Sequence, residues 1–279
     1  MSAARPEILA GYDPRSSDRA PLAVGASLAT LLDTPLVLTT VIDHDRSLDL
    51  VDDEAFWDDR RADARRAVAR TGATPDVDVR IVVSVSAARG LATAIDQAGP
   101  AIAVLGSRAG AASGRVSAGR IAHHVLREVS VPVCVAPAAP PPELGTVVAA
   151  VNDTPEAWSA LPAAAELARR GGARLHVLAF CPGDRRRQAM QARLWGALET
   201  LGQTPSIAAE TVTGDPADAL VVASAGGLLV MPVHGWRPQA VPGAGSVSHR
   251  VLAGARCAVI ALPRGARLRA RRPTPAISR

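Results

Sequence analysis

LLVMPVHGWRPQAVPGAGSVS, residues 228–248, is the stretch that decides the fold. A short apolar run, Leu228–Met231, ends abruptly. The Pro- and Gly-rich loop that follows carries Arg237 as its one charge. The loop closes on Gly245-Ser246-Val247-Ser248, and a helical pattern then begins at His249-Arg250-Val251-Leu252. The order is strand, loop, helix N-terminus. Helix N-termini present unpaired N–H groups and a partial positive charge, so such a turn is a natural seat for phosphate.

A second copy lies upstream. AIAVLGSRAGAASGRVSAGRIA, residues 101–122, places Gly106 against Pro232, Ala109 against Gly235, Gly119 against Gly245 and Arg120 against Ser246. Both 232 − 106 and 245 − 119 give 126. A period this long is a duplicated domain rather than a solenoid repeat. The duplication runs through the chain. PEILAGYD at 6–13 matches TVVAAVND at 146–153, each an apolar strand closing on an aspartate, Asp13 and Asp153. Downstream, 83–95 answers 212–224 and 130–137 answers 256–263. The first copy is longer after its second strand, with an acidic insertion around Asp43–Asp59.

Each copy alternates near-continuous apolar strands with helical patterns, about five strands and four helices. That pattern implies α/β architecture, with a parallel sheet covered on both faces. The expected molecule has two tandem Rossmann-like domains, each a five-stranded parallel sheet with helices on both faces. Residues 1–139 form the first domain and 140–263 the second, and residues 264–279 form a basic disordered tail. A ligand in such a sheet sits outside the carboxyl ends of the strands, at the topological switch point.

These residues resemble the universal stress protein family in its tandem two-domain form. The family's nucleotide-binding pattern is Gly-x-x-Gly, nine residues, then Gly-Ser/Thr after the fourth strand, with an Asp ending the first strand. The resemblance covers residues 6–137 and 145–263. It implies ATP or a related adenine nucleotide as ligand, with Mg²⁺ as its companion ion, and pairing through each domain's last strand. In the second copy Gly235, Gly245 and Ser246 fit the pattern, and Pro232 replaces the first Gly and removes an N–H. In the first copy Gly106 and Gly119 fit, whereas Ala109 and Arg120 depart. Arg120 lacks a hydroxyl. Its guanidinium either pairs with an anion or fills the pocket.

Roles follow for the second site. Gly235 lets the backbone approach phosphates. Gly245, Ser246 and Val247 offer N–H groups, the Ser246 hydroxyl caps the helix or binds a phosphate oxygen, and Ser248 is a second hydroxyl donor. Asp153 accepts from ribose hydroxyls or caps the helix that Thr154-Pro155-Glu156 begins. Adenine lies near Phe180 and Cys181. The corresponding first-copy positions are Asp13 at the ribose and Val41 and Ile42 at the base. His234 orders its loop. His123 and His124 are adjacent and point to different sides of a helix, and no metal-ligand spacing occurs.

Cys134, Cys181 and Cys257 each lie in or beside an apolar strand and read as core packing, not disulfides. The N-terminus has no signal-like apolar core, no apolar run is long enough to span a bilayer, and the composition reads as cytoplasmic. All 31 basic residues are Arg, and six of them lie in 264–279. Removing those six from the net charge of +5 leaves −1 on the folded part, so no basic stripe for nucleic acid is expected. The Pro-rich linker Pro137–Pro142 reads as stiff and extended. No Lys occurs, so there is no P-loop Gly-Lys-Ser/Thr, and no Gly-x-Ser-x-Gly elbow appears. Arg237 and Arg250 reach toward phosphate without a recognisable partner, and no catalytic residue is assigned.

The reading is a stress-response regulatory protein that binds an adenine nucleotide chiefly in its second domain, without efficient turnover, and signals to an unknown protein partner. The alternatives are a nucleotide-free scaffold acting through protein partners, and a slow ATPase.

Overall fold

The computed structural model describes residues 6–13, 16, 18–43, 54–70, 77–139, 144–202, 206–225, 227–233 and 246–269. The first half runs β1 (Ile8–Gly11), α1 (Ala20–Leu32), β2 (Leu36–Asp43), α2 (Glu54–Ala69), β3 (Val77–Ser84), α3 (Ala87–Ala98), β4 (Ile102–Leu105), α4 (Arg120–Glu128) and β5 (Val133–Val135). The second repeats it as β6 (Thr146–Val151), a 3-10 turn at Pro155–Ser159, α5 (Ala160–Gly171), β7 (Arg174–Phe180), α6 (Asp184–Glu199), β8 (Ile207–Val212), α7 (Pro216–Ala223), β9 (Gly227–Val233), α8 (Val247–Val251) and β10 (Ala258–Pro263). The acidic segment is partly helical: α2 takes up Glu54–Ala69 and matches α6 in length. The remainder of the insertion, 44–53, lies outside the described residues.

Within each half every strand pair is parallel. The halves do not form two sheets. They join into one ten-stranded sheet in the order β3-β2-β1-β4-β5-β10-β9-β6-β7-β8. The join is antiparallel: Cys134 pairs with Ile260, Val135 with Val259 and Val133 with Ala261. Ile260 is Cys134's own counterpart 126 residues on, and the flanking pairs exchange partners around it. A two-fold axis between equivalent elements produces this arrangement, as in an isologous dimer.

The join decides between two ways of pairing the last strands. The last strands were candidates for pairing two chains or for pairing with each other, and they pair with each other: β5 has β4 and β10 as neighbours, and β10 has β5 and β9. Among the described strands, the open edges are β3 and β8.

Side chains alternate cleanly between two continuous cores. Ile8, Ala10, Leu36, Leu38, Cys134, Val147, Leu175 and Ile260 face one layer with α1, α5 and α6. Leu9, Leu105, Val133, Val148, Phe180, Leu229 and Val259 face the other with α3, α4, α7 and the α8 turn. Both cores span both halves. Strands buried on two faces carry apolar residues at every position, which explains the continuous runs. α1 is buried around most of its circumference because it lies between the sheet and neighbouring helices, α5 among them.

All three cysteines are buried and unbridged, as expected for core residues. Burial pushes the Cys257 thiol up to about 12. The tail differs from expectation at its start: Ala266 is buried and Leu268 packs on the first core, while 270–279 lie outside the described residues. Those two apolar side chains extend the fold beyond 263. Linker residues 140–143 also lie outside the described residues.

Candidate functional site

In each half the first strand is flanked by the second on one side and the fourth on the other. The helix after β6 belongs to one layer and the helix after β9 to the opposite one. The carboxyl ends of β6 and β9 therefore bound a switch-point crevice, and those of β1 and β4 bound its counterpart. Asp153 follows β6 by two residues, Phe180 ends β7, and Ser246 precedes α8. His234, Gly235, Arg237 and Gly245 lie outside the described residues.

Strand register corrects the alignment of the two aspartates. Ile8 pairs with Ile102 and Leu36, and the equivalent triple is Val147 with Leu228 and Leu175. Position 13 therefore corresponds to Asn152, and Asp153 stands one residue beyond. The Asn152 Oδ1 accepts from the Thr154 N–H at 2.9 Å and from its hydroxyl at 2.7 Å. This turn, rather than Asp153, organises the chain entering the 3-10 segment. The Asp153 carboxylate instead accepts from Arg186 Nη1 at 3.2 Å, and its carbonyl accepts from Arg193 Nη1 at 3.1 Å. Arg193 is in turn stacked over the Trp158 ring, 4.6 Å from its centroid.

The Ser246 hydroxyl accepts from the His249 N–H at 3.4 Å, so it is the N-cap of α8. Val247 and Ser248 form the first turn. Arg250 is not a spare cation. Its guanidinium binds Asp215 and Asp218, tying α8 to α7. The Arg250 hydrogen bond, followed by the Ala217 N–H, holds the Asp215 carboxyl below its usual range. Pro232 lies inside β9, paired with Leu262, so this strand runs on where β4 has already ended at Leu105. Phe180 is buried, and its ring belongs to the second core.

The first loop, residues 106–119, is closed upon itself. The Ser107 hydroxyl donates to the Ala136 carbonyl at 2.8 Å and accepts from the Ser117 N–H at 3.0 Å. The Arg108 N–H donates to the Ser117 carbonyl, and its Nε donates to the Ser117 hydroxyl, both at 2.8 Å. The loop also docks on the other half: Val116 N–H donates to the Ala255 carbonyl at 2.7 Å and Ala118 N–H to the Leu252 carbonyl at 2.8 Å. Six donors of this loop are thus engaged: the Ser107 hydroxyl, the Arg108 N–H and Nε, and the N–H groups of Val116, Ser117 and Ala118. Gly106 and Gly119 serve packing here. A Cβ on Gly106 would stand 2.8 Å from Pro21 Cγ, and one on Gly119 would stand 3.0 Å from Arg108 Cβ. Arg120, the first residue of α4, is exposed. Asp13 and Val41 lie at the ends of β1 and β2 as expected, with Val41 covered by Gly90 of α3.

One feature went unread in the sequence. His123 and His249, 126 residues apart, stack ring on ring across the pseudo-two-fold, 5.3 Å between centroids and 12° between planes. Burial holds His123 below its ordinary pKa, reinforced by His249 and Arg127. The unfolded chain therefore takes up this proton first, as pH falls through about 6.5, and folding stability declines below that point. The melting temperature is expected to fall between pH 7.5 and 5.5, and to fall less in His123→Gln. Equal slopes in the two proteins would show that the pair does not sense pH. Asp215, held below the carboxylate range, titrates outside this window.

Among the described residues no group of three or more His, Cys, Asp or Glu can hold a metal, and no helix is long and apolar enough to cross a membrane.

The family model of the universal stress proteins matches residues 5–137. The fold of the whole chain is similar to that of a universal stress protein from Archaeoglobus fulgidus (16% identity, 93% of this chain and 98% of the other covered, TM-score 0.69). It is also similar to a putative universal stress protein from Pseudomonas aeruginosa (18%, 94% and 94%, TM-score 0.68). The cytoplasmic domain of a prokaryotic cation chloride cotransporter shares the fold too (13%, 92% and 95%, TM-score 0.56). A search of curated proteins returns no match.

Proposed function

We propose that the chain is a universal stress protein, the family whose model matches residues 5–137, and that it is a regulatory protein that binds ATP or a related adenine nucleotide in its second domain without efficient turnover. The observation that supports this reading is the difference between the two crevices. In the first half, the loop donors are bonded within the loop and to the other domain. In the second half, Gly235, Gly245 and Ser246 keep three of the four motif positions, with Pro232 at the fourth. Pro242 stands 126 residues after Val116, and proline has no N–H to repeat the Val116 tether.

The nucleotide would lie across the carboxyl ends of β6 and β9. Its base would approach the end of β7 at Phe180 and Cys181, its ribose would meet Asn152 and Asp153, and its phosphates would meet the Ser246 hydroxyl and the N–H groups of Val247 and Ser248. Mg²⁺ would travel with the phosphates. Binding without efficient turnover is supported by Arg250, which two carboxylates hold, and by a sequence without Lys, so neither is offered to neutralise a transferring phosphoryl group. Binding would bear on a protein partner rather than on a reaction.

Calorimetric titration of the full chain with ATP and Mg²⁺ tests the reading. One site per chain is expected. Asp153→Ala and Ser246→Ala should each weaken it roughly tenfold or more, since each removes a hydrogen bond to or from a charged group. No heat of binding, at any practical concentration, would leave a scaffold that acts through protein partners alone.

A further inference from the structure

We propose that the second-domain crevice reads a phosphate on the ribose, so that its ligand is an adenosine nucleotide phosphorylated at the 2′ or 3′ position as well as at the 5′ position. The proposal rests on the reading above that this crevice holds an adenine nucleotide. It arises from the one-residue register correction and from what surrounds the corrected position.

In the first copy, Asp13 offers a carboxylate at the end of β1, an acceptor suited to a ribose hydroxyl. Asn152 replaces it in the second copy. The Asn152 Oδ1 already receives two hydrogen bonds from Thr154, so the group it can present to a ligand is its N–H₂. An acceptor has become a donor. A hydroxyl can still accept a hydrogen bond, but a phosphate oxygen does so with charge assistance.

The neighbouring helix changes in the same sense. α2 and α6 are equivalent and of equal length, which places Arg186 opposite Phe56 and Arg193 opposite Asp63. In the first copy the Asp63 carboxylate accepts from the Tyr12 hydroxyl at 3.4 Å. In the second, Arg193 reaches the same loop, donates to the Asp153 carbonyl and stacks on Trp158. Arg186 pairs with the Asp153 carboxylate, whose charge it offsets. Around Tyr12 in the first crevice, Asp63 accepts from the ring hydroxyl and Arg19 lies over the ring face, 5.4 Å from its centroid; in the second crevice two guanidiniums, Arg186 and Arg193, meet at the single residue Asp153. The Arg186–Asp153 pair is exposed, 69% and 46% for the two side chains. Such pairs are weak and exchange readily, so Arg186 can turn from Asp153 to an incoming phosphate. Its planar fork suits that group. Dinucleotide folds make the same distinction, with a carboxylate for a ribose hydroxyl and an arginine for a ribose phosphate.

Three isomers place the same two phosphoryl groups differently, and the two bisphosphates, equal in charge, differ only in the ribose position: ADP, adenosine 2′,5′-bisphosphate and adenosine 3′,5′-bisphosphate. Each is titrated calorimetrically into the full chain. One of the bisphosphates should bind the wild type about tenfold or more tightly than ADP. Arg186→Gln should abolish the preference. Asn152→Asp keeps an acceptor for Thr154 and should shift the preference toward ADP. Melting curves of both variants, altered at partly exposed positions, should match the wild type. ADP binding as tightly as both bisphosphates, or more so, would overturn the proposal while leaving nucleotide binding intact. Failure of all three isomers and of ATP would overturn the nucleotide reading and this proposal with it.

Discussion

Replacing Gly227 with alanine is expected to destabilise the protein by roughly 3–5 kcal/mol, at the upper end of the range for overpacking. Gly227 opens β9 opposite Thr146 of β6. A Cβ built there falls onto the Thr146 carbonyl oxygen, and its next contact, the Thr146 carbonyl carbon, is 3.0 Å away. A backbone carbonyl in a parallel ladder cannot turn aside as a side-chain end can. Relief requires β6 and β9 to separate, and these are the two strands whose ends bound the crevice. The expected drop in melting temperature is on the order of 10 °C for a chain of this size. Gly254→Ala is the matched control, because a Cβ there meets nothing nearer than 3.7 Å and should leave the melt unchanged. A Gly227→Ala protein melting with the wild type would refute the close approach of these strands.

Ile260→Asp should prevent folding. Ile260 is 1% exposed and sits opposite Cys134, on the axis that relates the two halves. The substitution removes a buried aliphatic side chain and puts an unpaired carboxyl in its place. Together these cost about 5 kcal/mol or more, comparable with the total stability of an ordinary domain. Ile260→Val, which only trims a methyl group, should cost about 1 kcal/mol. The two cores run unbroken across the join. Calorimetry of the wild type and of Ile260→Val should therefore show one transition, not two. If Ile260→Asp instead leaves the first half folded, with its own melt, the halves are independent and the continuous sheet is wrong.

Much of this architecture is legible in the sequence, for a physical reason. Strands covered on both faces must be apolar throughout, so VVAAV and LLVMPV announce a buried parallel sheet, and the 126-residue offset announces a duplicated unit. The same property hides the register. Where every position is apolar there is no alternation to mark a one-residue slip, and Asp13 aligns as naturally with Asp153 as with Asn152. Hydrogen-bonding partners on β2, β4, β7 and β9 are needed to decide it.

The joining strands show a second limit. Val131–Ala136 and Ala258–Leu262 are apolar runs that end each repeat, but self-pairing within the chain and pairing between chains use the same residues. Only the fold shows Cys134 beside Ile260. Arg250 was open for a similar reason: Asp215 and Asp218 lie 35 and 32 residues away on another helix. His123 and His249 carry the repeat spacing openly. What the sequence does not carry is the antiparallel placement that turns two equivalent helices face to face.

The site was legible as a motif, and the closure of the first loop was not. Ala109 and Arg120 marked the first loop as altered. Its closure by Ser107, Arg108 and Ser117, and its docking on Leu252 and Ala255, come from contacts that no spacing encodes.

The central claim is that one of the two crevices, the second, holds an adenine nucleotide. Native mass spectrometry of the full chain, titrated with adenine nucleotide and compared with Asp153→Ala, measures this most directly. The account predicts one nucleotide per chain, lost or strongly reduced in the variant. Two per chain, or one that is unaffected by the substitution, would place binding in the first crevice and contradict it.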